Sequence, residues 1–291
     1  MLNITLNVLS NQYTSPVLSL KPDDTIHSAL FMMQKNDVKR IVIVEKSRPI
    51  GIVTERDIGK FLEHDKTTRS LNQIMLDEVM SQNVVTISSE NHDIAMQSAI
   101  RMVTFQISSV IVIDNNGNMI GIITKSDLTK IFGNSFPKTY KVKDYMSRQI
   151  ITCRKSDTLM FALDMLNRNK ISRLIVTDNE GKPIGVITYD TFMRNSGFFK
   201  AEINSRSYLL PSITAKEMKV ADLIGDELLT VEPEEDLASV AKTMTKFKIS
   251  GIPVVDSHGS LEGLISSSDI VRALSDVETH YRLIKKDTHF D

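Results

Sequence analysis

Apolar residues recur along the chain in two alternating rhythms. Helix-period segments carry one apolar face: Ile26, Ala29, Leu30 and Met33, then Leu159, Ala162, Leu163 and Leu166, then Leu237, Val240, Ala241 and Met244. Ala95, Ala99 and Met102 mark a further helix, whose approach is about two residues longer. Each helix leads into a short apolar run of strand length and composition: RIVIV from Arg40, SVIVID from Ser109, RLIVTD from Arg173 and GIPVVD from Gly251. A turn then follows, DNNGN, DNEGK or DSHGS in three copies and EKSRP in the first, so each copy predicts a hairpin. The second arm of every hairpin ends in a related octet: GIVTERDI at 51, GIITKSDL at 121, GVITYDTF at 185 and GLISSSDI at 263.

Further shared positions complete the period. Val38, Ile107, Ile171 and Ile249 precede the strands, and a short strand with a hydroxyl residue precedes each helix, ending at Ser19, Thr86, Thr152 and Thr230. Six residues before these lie Tyr13, Met80, Met146 and Ile224. The unit is strand, helix, strand, strand, helix, an α+β element of about sixty residues, with repeats over 1–72, 73–138, 139–200 and 216–280. So small a unit has little core of its own, and one sheet face must be covered. Pairing repeat 1 with 2 and repeat 3 with 4 does this, with a joint near 133–141. The longer gap between Thr191 and Lys216 suits an extra helix or a partner-contacting insertion. Four repeats can close into one disc within a chain, or two chains can stack as a homodimer.

The order hydrophobic-x-Thr, amphipathic helix, apolar strand, turn, G-h-h-T-x-x-D resembles the cystathionine β-synthase (CBS) domain, and tandem pairs of such units resemble Bateman modules. The resemblance covers nearly the whole chain and implies four CBS repeats in two modules. It further implies a regulatory protein that needs no cofactor and binds AMP, ADP, ATP or S-adenosylmethionine in clefts between paired repeats, controlling an unidentified partner protein. By the same resemblance, the strand beginning at Lys39 and Arg40, Ser108 and Ser109, Ser172 and Arg173, and Ser250 and Gly251 lines the cleft. Ser19, Thr86 and Thr230 on the first strands join the candidate ligand residues.

The octet itself admits two chemical readings. Thr54 followed three residues later by Asp57 has the spacing of a helix-capping box. An ionised Asp also matches the two hydroxyls of a ribose, a Thr hydroxyl can donate to a phosphate, and a helix N-terminus favours anions. Arg56, Lys125, Arg40 and Lys39 are either phosphate partners or solvated surface charges. Gly51, Gly121, Gly185 and Gly263 allow close backbone approach, or mark a turn exit or bulge. The copies are unequal. Repeats 1 (Thr54, Arg56, Asp57) and 2 (Thr124, Lys125, Asp127) hold hydroxyl, base and acid together, and repeat 4 (Ser266, Asp269) lacks the base. In repeat 3 Asp190 stands one position early and Thr191 replaces the acid, which predicts an empty or altered half-site.

Composition narrows the classes. With 35 basic and 36 acidic residues the net charge is -1, so no global field draws the chain to nucleic acid or anionic membrane. RLIKKD near the C-terminal end is a short basic run without a DNA-binding pattern. No export signal or membrane-length apolar run is readable, which leads us to expect a cytoplasmic protein with no membrane partner. The single cysteine, Cys153, reads as a small buried hydrophobe on a strand. Six scattered histidines show no metal-ligand spacing, and no nucleophile elbow or phosphate-binding glycine loop appears, so no enzyme and no metal site is expected. A ligand-free interaction module with degenerate octets is the alternative function.

Overall fold

The protein is described by a computed structural model over residues 13–65, 67, 69–188, 191, 218–225 and 227–287. The insertion after Thr191, and Asp190, lie outside the described residues. Repeat 1 comprises β1 (Ser19–Leu20), α1 (Ile26–Lys35), β2 (Arg40–Glu45), β3 (Arg48–Thr54) and α2 (Glu55–His64). Repeat 2 has β4 (Thr86–Ser88), α3 (Ile94–Thr104), β5 (Ser109–Ile113), β6 (Met119–Thr124) and α4 (Lys125–Ser135). After the single turn α5 (Val142–Tyr145), repeat 3 gives β7 (Thr152–Arg154), α6 (Leu159–Arg168), β8 (Arg173–Thr177) and β9 (Pro183–Thr188). Repeat 4 runs through α7 (Leu237–Lys246), β10 (Gly251–Val255), β11 (Leu261–Ser266) and α8 (Ser267–Asp287). In repeats 1 to 3 the first strand pairs parallel to the second, which pairs antiparallel to the third.

Local chemistry explains most boundaries. Thr25, Thr158 and Asp236 cap α1, α6 and α7 by accepting from the backbone N–H three residues on, whereas Asp93 makes no such bond at α3. Every first helix ends on a left-handed non-glycine residue, Asp37, Gln106, Lys170 or Lys248, each at φ 53°. The next N–H then bonds back to a carbonyl five residues earlier, Val38 to Met33, Ile107 to Met102, Ile171 to Leu166 and Ile249 to Met244. This is the Schellman stop, in which an apolar residue after the left-handed one packs back on the helix. It accounts for the shared apolar position before each strand. In the three turns beginning at Asp114, Asp178 and Asp256, one carboxylate oxygen accepts two backbone N–H groups, and Gly117, Gly181 and Gly259 supply the positive φ.

Repeat 4 departs from the expected strand at Leu228–Thr230. Only an isolated bridge, Val231 to Val254, remains there, and β10 and β11 form a two-stranded sheet. Val42 and Ile111 each donate an N–H to the carbonyl just ahead of the first strand of their repeats, Leu18 and Val85. The matching residue in β10 is Pro253, which has no N–H to give.

The chain divides into two compact units, and it crosses between them at the same point of each repeat. One unit holds the bodies of repeats 2 and 4, the other those of repeats 1 and 3. The segment leading into each body, however, belongs to the unit of its sister: leader 1 with repeat 2, leader 2 with repeat 1, leader 3 with repeat 4, leader 4 with repeat 3. The chain thus exchanges leaders within the pairs 1/2 and 3/4. In the unit of repeats 2 and 4, α4 packs on α7 and α8, and α3 on α8, around one continuous core that includes Phe132, Ile270 and Leu274. Repeat 1 builds its core from α1, β2 and β3 with Leu71, Ile74 and Leu76 of leader 2. Repeat 3 does so from α6, β8 and β9 with Val220 of leader 4. The expected joint at 133–141 is itself packed: Phe136 is buried, and Phe132, Phe136, Tyr140 and Tyr145 form a chain of ring contacts at 5.2 to 6.4 Å.

Candidate ligand site at the octets

The octets of repeats 1, 2 and 3 close as reciprocal capping boxes, and that of repeat 4 makes the carboxylate half of one. In repeat 1 the Thr54 hydroxyl accepts from the Asp57 N–H (3.2 Å) and donates to Asp57 Oδ2 (2.6 Å), and that oxygen also accepts the Thr54 N–H (3.0 Å). The same carboxylate contacts measure 2.6 and 2.8 Å between Thr124 and Asp127, and 2.6 and 2.9 Å between Ser266 and Asp269. In repeat 3, Thr191 takes the acid's place: Thr188 N–H donates to Thr191 Oγ1 (3.1 Å), and Thr191 N–H to Thr188 Oγ1 (3.3 Å). The reciprocal cap is therefore made in repeats 1, 2 and 3, and the acid that bonds back to the cap residue is kept in repeats 1, 2 and 4.

This geometry limits what an octet can offer. A hydroxyl has one proton, and in the three acidic copies it already goes to Oδ2. The group left to meet a ligand is the second carboxylate oxygen, Oδ1. Asp57 Oδ1 has no partner among the described residues, Asp127 Oδ1 accepts a long contact from Thr14 Oγ1 (3.4 Å), and Asp269 Oδ1 faces the Arg272 guanidinium at 3.1 Å. Thr54, Asp57, Thr124 and Asp127 are half-buried, whereas Ser266 and Asp269 are 7% and 6% exposed.

The strand-start candidates come to the octet. Arg40 pairs in register with Thr54, Ser109 with Thr124, Arg173 with Thr188 and Gly251 with Ser266. The Ser108 and Ser250 carbonyls accept the first helical N–H groups of α4 and α8, from Lys125 (3.3 Å) and Ser267 (3.0 Å). Ser19 and Thr86 lie opposite Val42 and Ile111, which puts them two strand spacings, about 10 Å, from the strand that carries the octet. Lys39 is exposed ahead of β2, and Thr230 is exposed and outside any strand. The two octet bases reach across to the other repeat of their own unit. Arg56 donates to the Ile171 carbonyl (3.1 Å), and Lys125 Nζ to Ser268 Oγ (2.8 Å).

The octet glycines have a reason the sequence did not decide. A Cβ on Gly121 would lie 2.1 Å from the Tyr13 ring, on Gly51 2.3 Å from Met80 Sδ, and on Gly263 and Gly185 2.8 Å from Met146 and Ile224. The shared leader residue packs face-on against the glycine of the sister repeat. The following leader residue then bridges to the octet strand, Thr14 to Ile122, Ser81 to Ile52 and Ser147 to Leu264. These leader hydroxyls were not among the sequence candidates, nor was Arg272. Their signals were available: three hydroxyls directly after the shared apolar position, and an arginine three residues beyond an octet acid.

Other chemistry is sparse. Cys153 is buried in β7, and burial, with Asp157 nearby, pushes its thiol up to about 12, so it is an unreactive hydrophobe as expected. Among the described residues no group of His, Cys, Asp and Glu could hold a metal, and no helix is long and apolar enough to cross a membrane.

The CBS-domain family model matches residues 11–64, 76–134, 142–197 and 220–276. The chain belongs to the CBS-domain family. Protein MJ1225 of Methanocaldococcus jannaschii is 22% identical over 280 residues, 92% of this chain and 98% of its own length. Its crystal structure superposes with a TM-score of 0.74 over 90% of this chain, which supports the fold. Protein MJ1404 of the same organism is 24% identical over 270 residues, and the chain spans 61% of its length. Inosine-5'-monophosphate dehydrogenase of that organism is 24% identical over 249 residues, 49% of that enzyme.

Proposed function

We propose that this protein is a regulatory sensor. It takes an adenosine ligand, AMP, ADP, ATP or S-adenosylmethionine, at the octets of repeats 1 and 2, and passes that occupancy to a partner protein. The observation that carries the reading is the division of labour within Asp57 and Asp127, where Oδ2 maintains the cap and Oδ1 faces no cation among the described residues. A half-buried carboxylate oxygen in that position accepts a ribose hydroxyl. Arg56 and Lys125 adjoin it in sequence, and Arg40 lies opposite Thr54; in this reading Arg56 leaves the Ile171 carbonyl, or Lys125 the Ser268 hydroxyl, to meet a phosphate. The chain has no catalytic role of its own in this reading.

The second reading, a ligand-free interaction module, is favoured by the completeness of the boxes in repeats 1, 2 and 3, since each satisfies its own helix start without a ligand. A thermal-shift panel of AMP, ADP, ATP, S-adenosylmethionine and NAD separates the two. Ligand at a hundred times its dissociation constant adds about 2.7 kcal/mol to the native state, which for domains of this size raises the melting temperature by roughly 5–10 °C. A flat response to the whole panel at millimolar concentration favours the interaction module.

A further inference from the structure

The acidic octets share the bond between acid and cap residue but not one environment, and repeat 4 is the outlier. Ser266 and Asp269 are buried, and Asp269 Oδ1 holds the Arg272 guanidinium at 3.1 Å. Arg272 is exposed, yet it has two further contacts. Its Nη2 also donates to the Tyr145 carbonyl, and its guanidinium lies 5.8 Å from the Tyr145 ring centre. Tyr145 in turn belongs to leader 3, whose Ser147 bonds the octet strand at Leu264 through two backbone bonds of 2.9 Å. The octet acid, the arginine and the docked leader are thus joined in one clasp. At the corresponding distance from the acid, repeats 1 and 2 carry Lys60 and Lys130, which are point charges without a planar fork.

We infer that Arg272 determines the ligand selectivity of the repeats, closing the fourth octet by occupying the carboxylate oxygen that a ribose diol would need. The inference rests on the ribose reading of Asp57 and Asp127 given above. Arginine is suited to the task because its charge is permanent and its donors can serve a carboxylate and a carbonyl together. The wild-type chain then fills the octets of repeats 1 and 2 and leaves the fourth vacant.

The test is the stoichiometry of AMP and S-adenosylmethionine binding, read by native mass spectrometry and titration calorimetry on the full chain. Arg272→Gln is expected to add one bound ligand per chain, and Arg272→Lys, which keeps a cation beside Asp269, to add a weaker one or none. Removing the ion pair that competes for Oδ1 corresponds to a gain in affinity there of up to about fivefold. Asp269→Asn in the otherwise wild-type chain is expected to leave the stoichiometry unchanged. The inference is overturned if Arg272→Gln binds no more ligand than wild type. It is equally overturned if Asp269→Asn loses a ligand that wild type held, a result that stands even if Arg272→Gln fails to fold. Absence of binding by every protein, wild type included, overturns the ribose reading itself, and the inference with it.

Discussion

At the scale of single residues, the same side chain often serves two purposes that sequence spacing cannot separate. Thr54 and Asp57 are a capping box in fact, and their ligand role depends on one oxygen atom whose direction no spacing rule specifies. The left-handed helix stops carry a residue-scale prediction. Lys170 holds φ 53° and is exposed, so glycine there relieves the left-handed cost of an L side chain. Lys170→Gly is expected to raise unfolding free energy by roughly 0.5–1 kcal/mol in denaturant titration; destabilisation would show that the lysine side chain makes a larger contribution. Asp37, Gln106, Lys170 and Lys248 were illegible as stops because none is glycine or asparagine, whereas the apolar residue that follows each was legible as a period. Ser108 and Ser109 were named as candidates by family resemblance alone, and the structure places them beside the start of the octet helix.

At the scale of elements, the leader and the octet strand are a lock formed between sister repeats. Gly121→Ala sets a methyl against the Tyr13 ring, an overpacking expected to cost about 1–3 kcal/mol. Tyr13→Ala in the same chain should recover part of that loss, and a double-mutant cycle of melting curves reads the coupling. Additive effects would disconnect the glycine from the leader. Leader 3 has a second tether, from Lys141 and Lys143 to Glu234 at 2.5 and 2.6 Å. Hydrogen bonds from the two lysines hold the Glu234 carboxyl down at about 2. A depressed carboxylate contributes stability above its unfolded pKa, near 4.3, and loses it as pH falls toward 2. The contribution is small because all three groups are exposed. Melting curves of wild type and Glu234→Gln should therefore differ slightly at pH 7 and converge between pH 4.5 and 2; a gap that widens on acidification would contradict the assignment. Helices and hairpins were legible because apolar period and turn chemistry agree. The first strand of repeat 4 was not, because LLT has strand composition while Pro253, more than twenty residues later, removes its partner's donor.

At the scale of the whole molecule, four CBS repeats are divided between two units by a chain that exchanges its leaders within the pairs 1/2 and 3/4. The four repeats were readable from their period, but the compact units group repeat 2 with 4 and repeat 1 with 3, where the expectation joined 1 with 2 and 3 with 4; the leaders link those sisters, and their exchange was not readable because Tyr13, Met80, Met146 and Ile224 look like ordinary core residues of their own repeats. A ligand held at Asp127 would touch the octet on which leader 1 is docked, and leader 1 runs directly into β1 of repeat 1. Occupancy can act on a partner only through different affinity for two arrangements of the chain, and the leaders are the segments through which such a difference would pass. The central claim remains that the octet acids of repeats 1 and 2 are ligand acceptors as well as caps. Its most direct test is equilibrium titration of wild type and of the Asp57→Asn/Asp127→Asn chain with AMP, ATP and S-adenosylmethionine. Asparagine keeps an oxygen for the cap but gives up the charged acceptor. The account predicts binding by wild type to at least one of these ligands and a loss of about 10- to 100-fold in the double variant, matching the removal of one or two charge-assisted hydrogen bonds, with its ligand-free melting temperature nearly unchanged. Equal affinity in both proteins, or no binding by either, would contradict it.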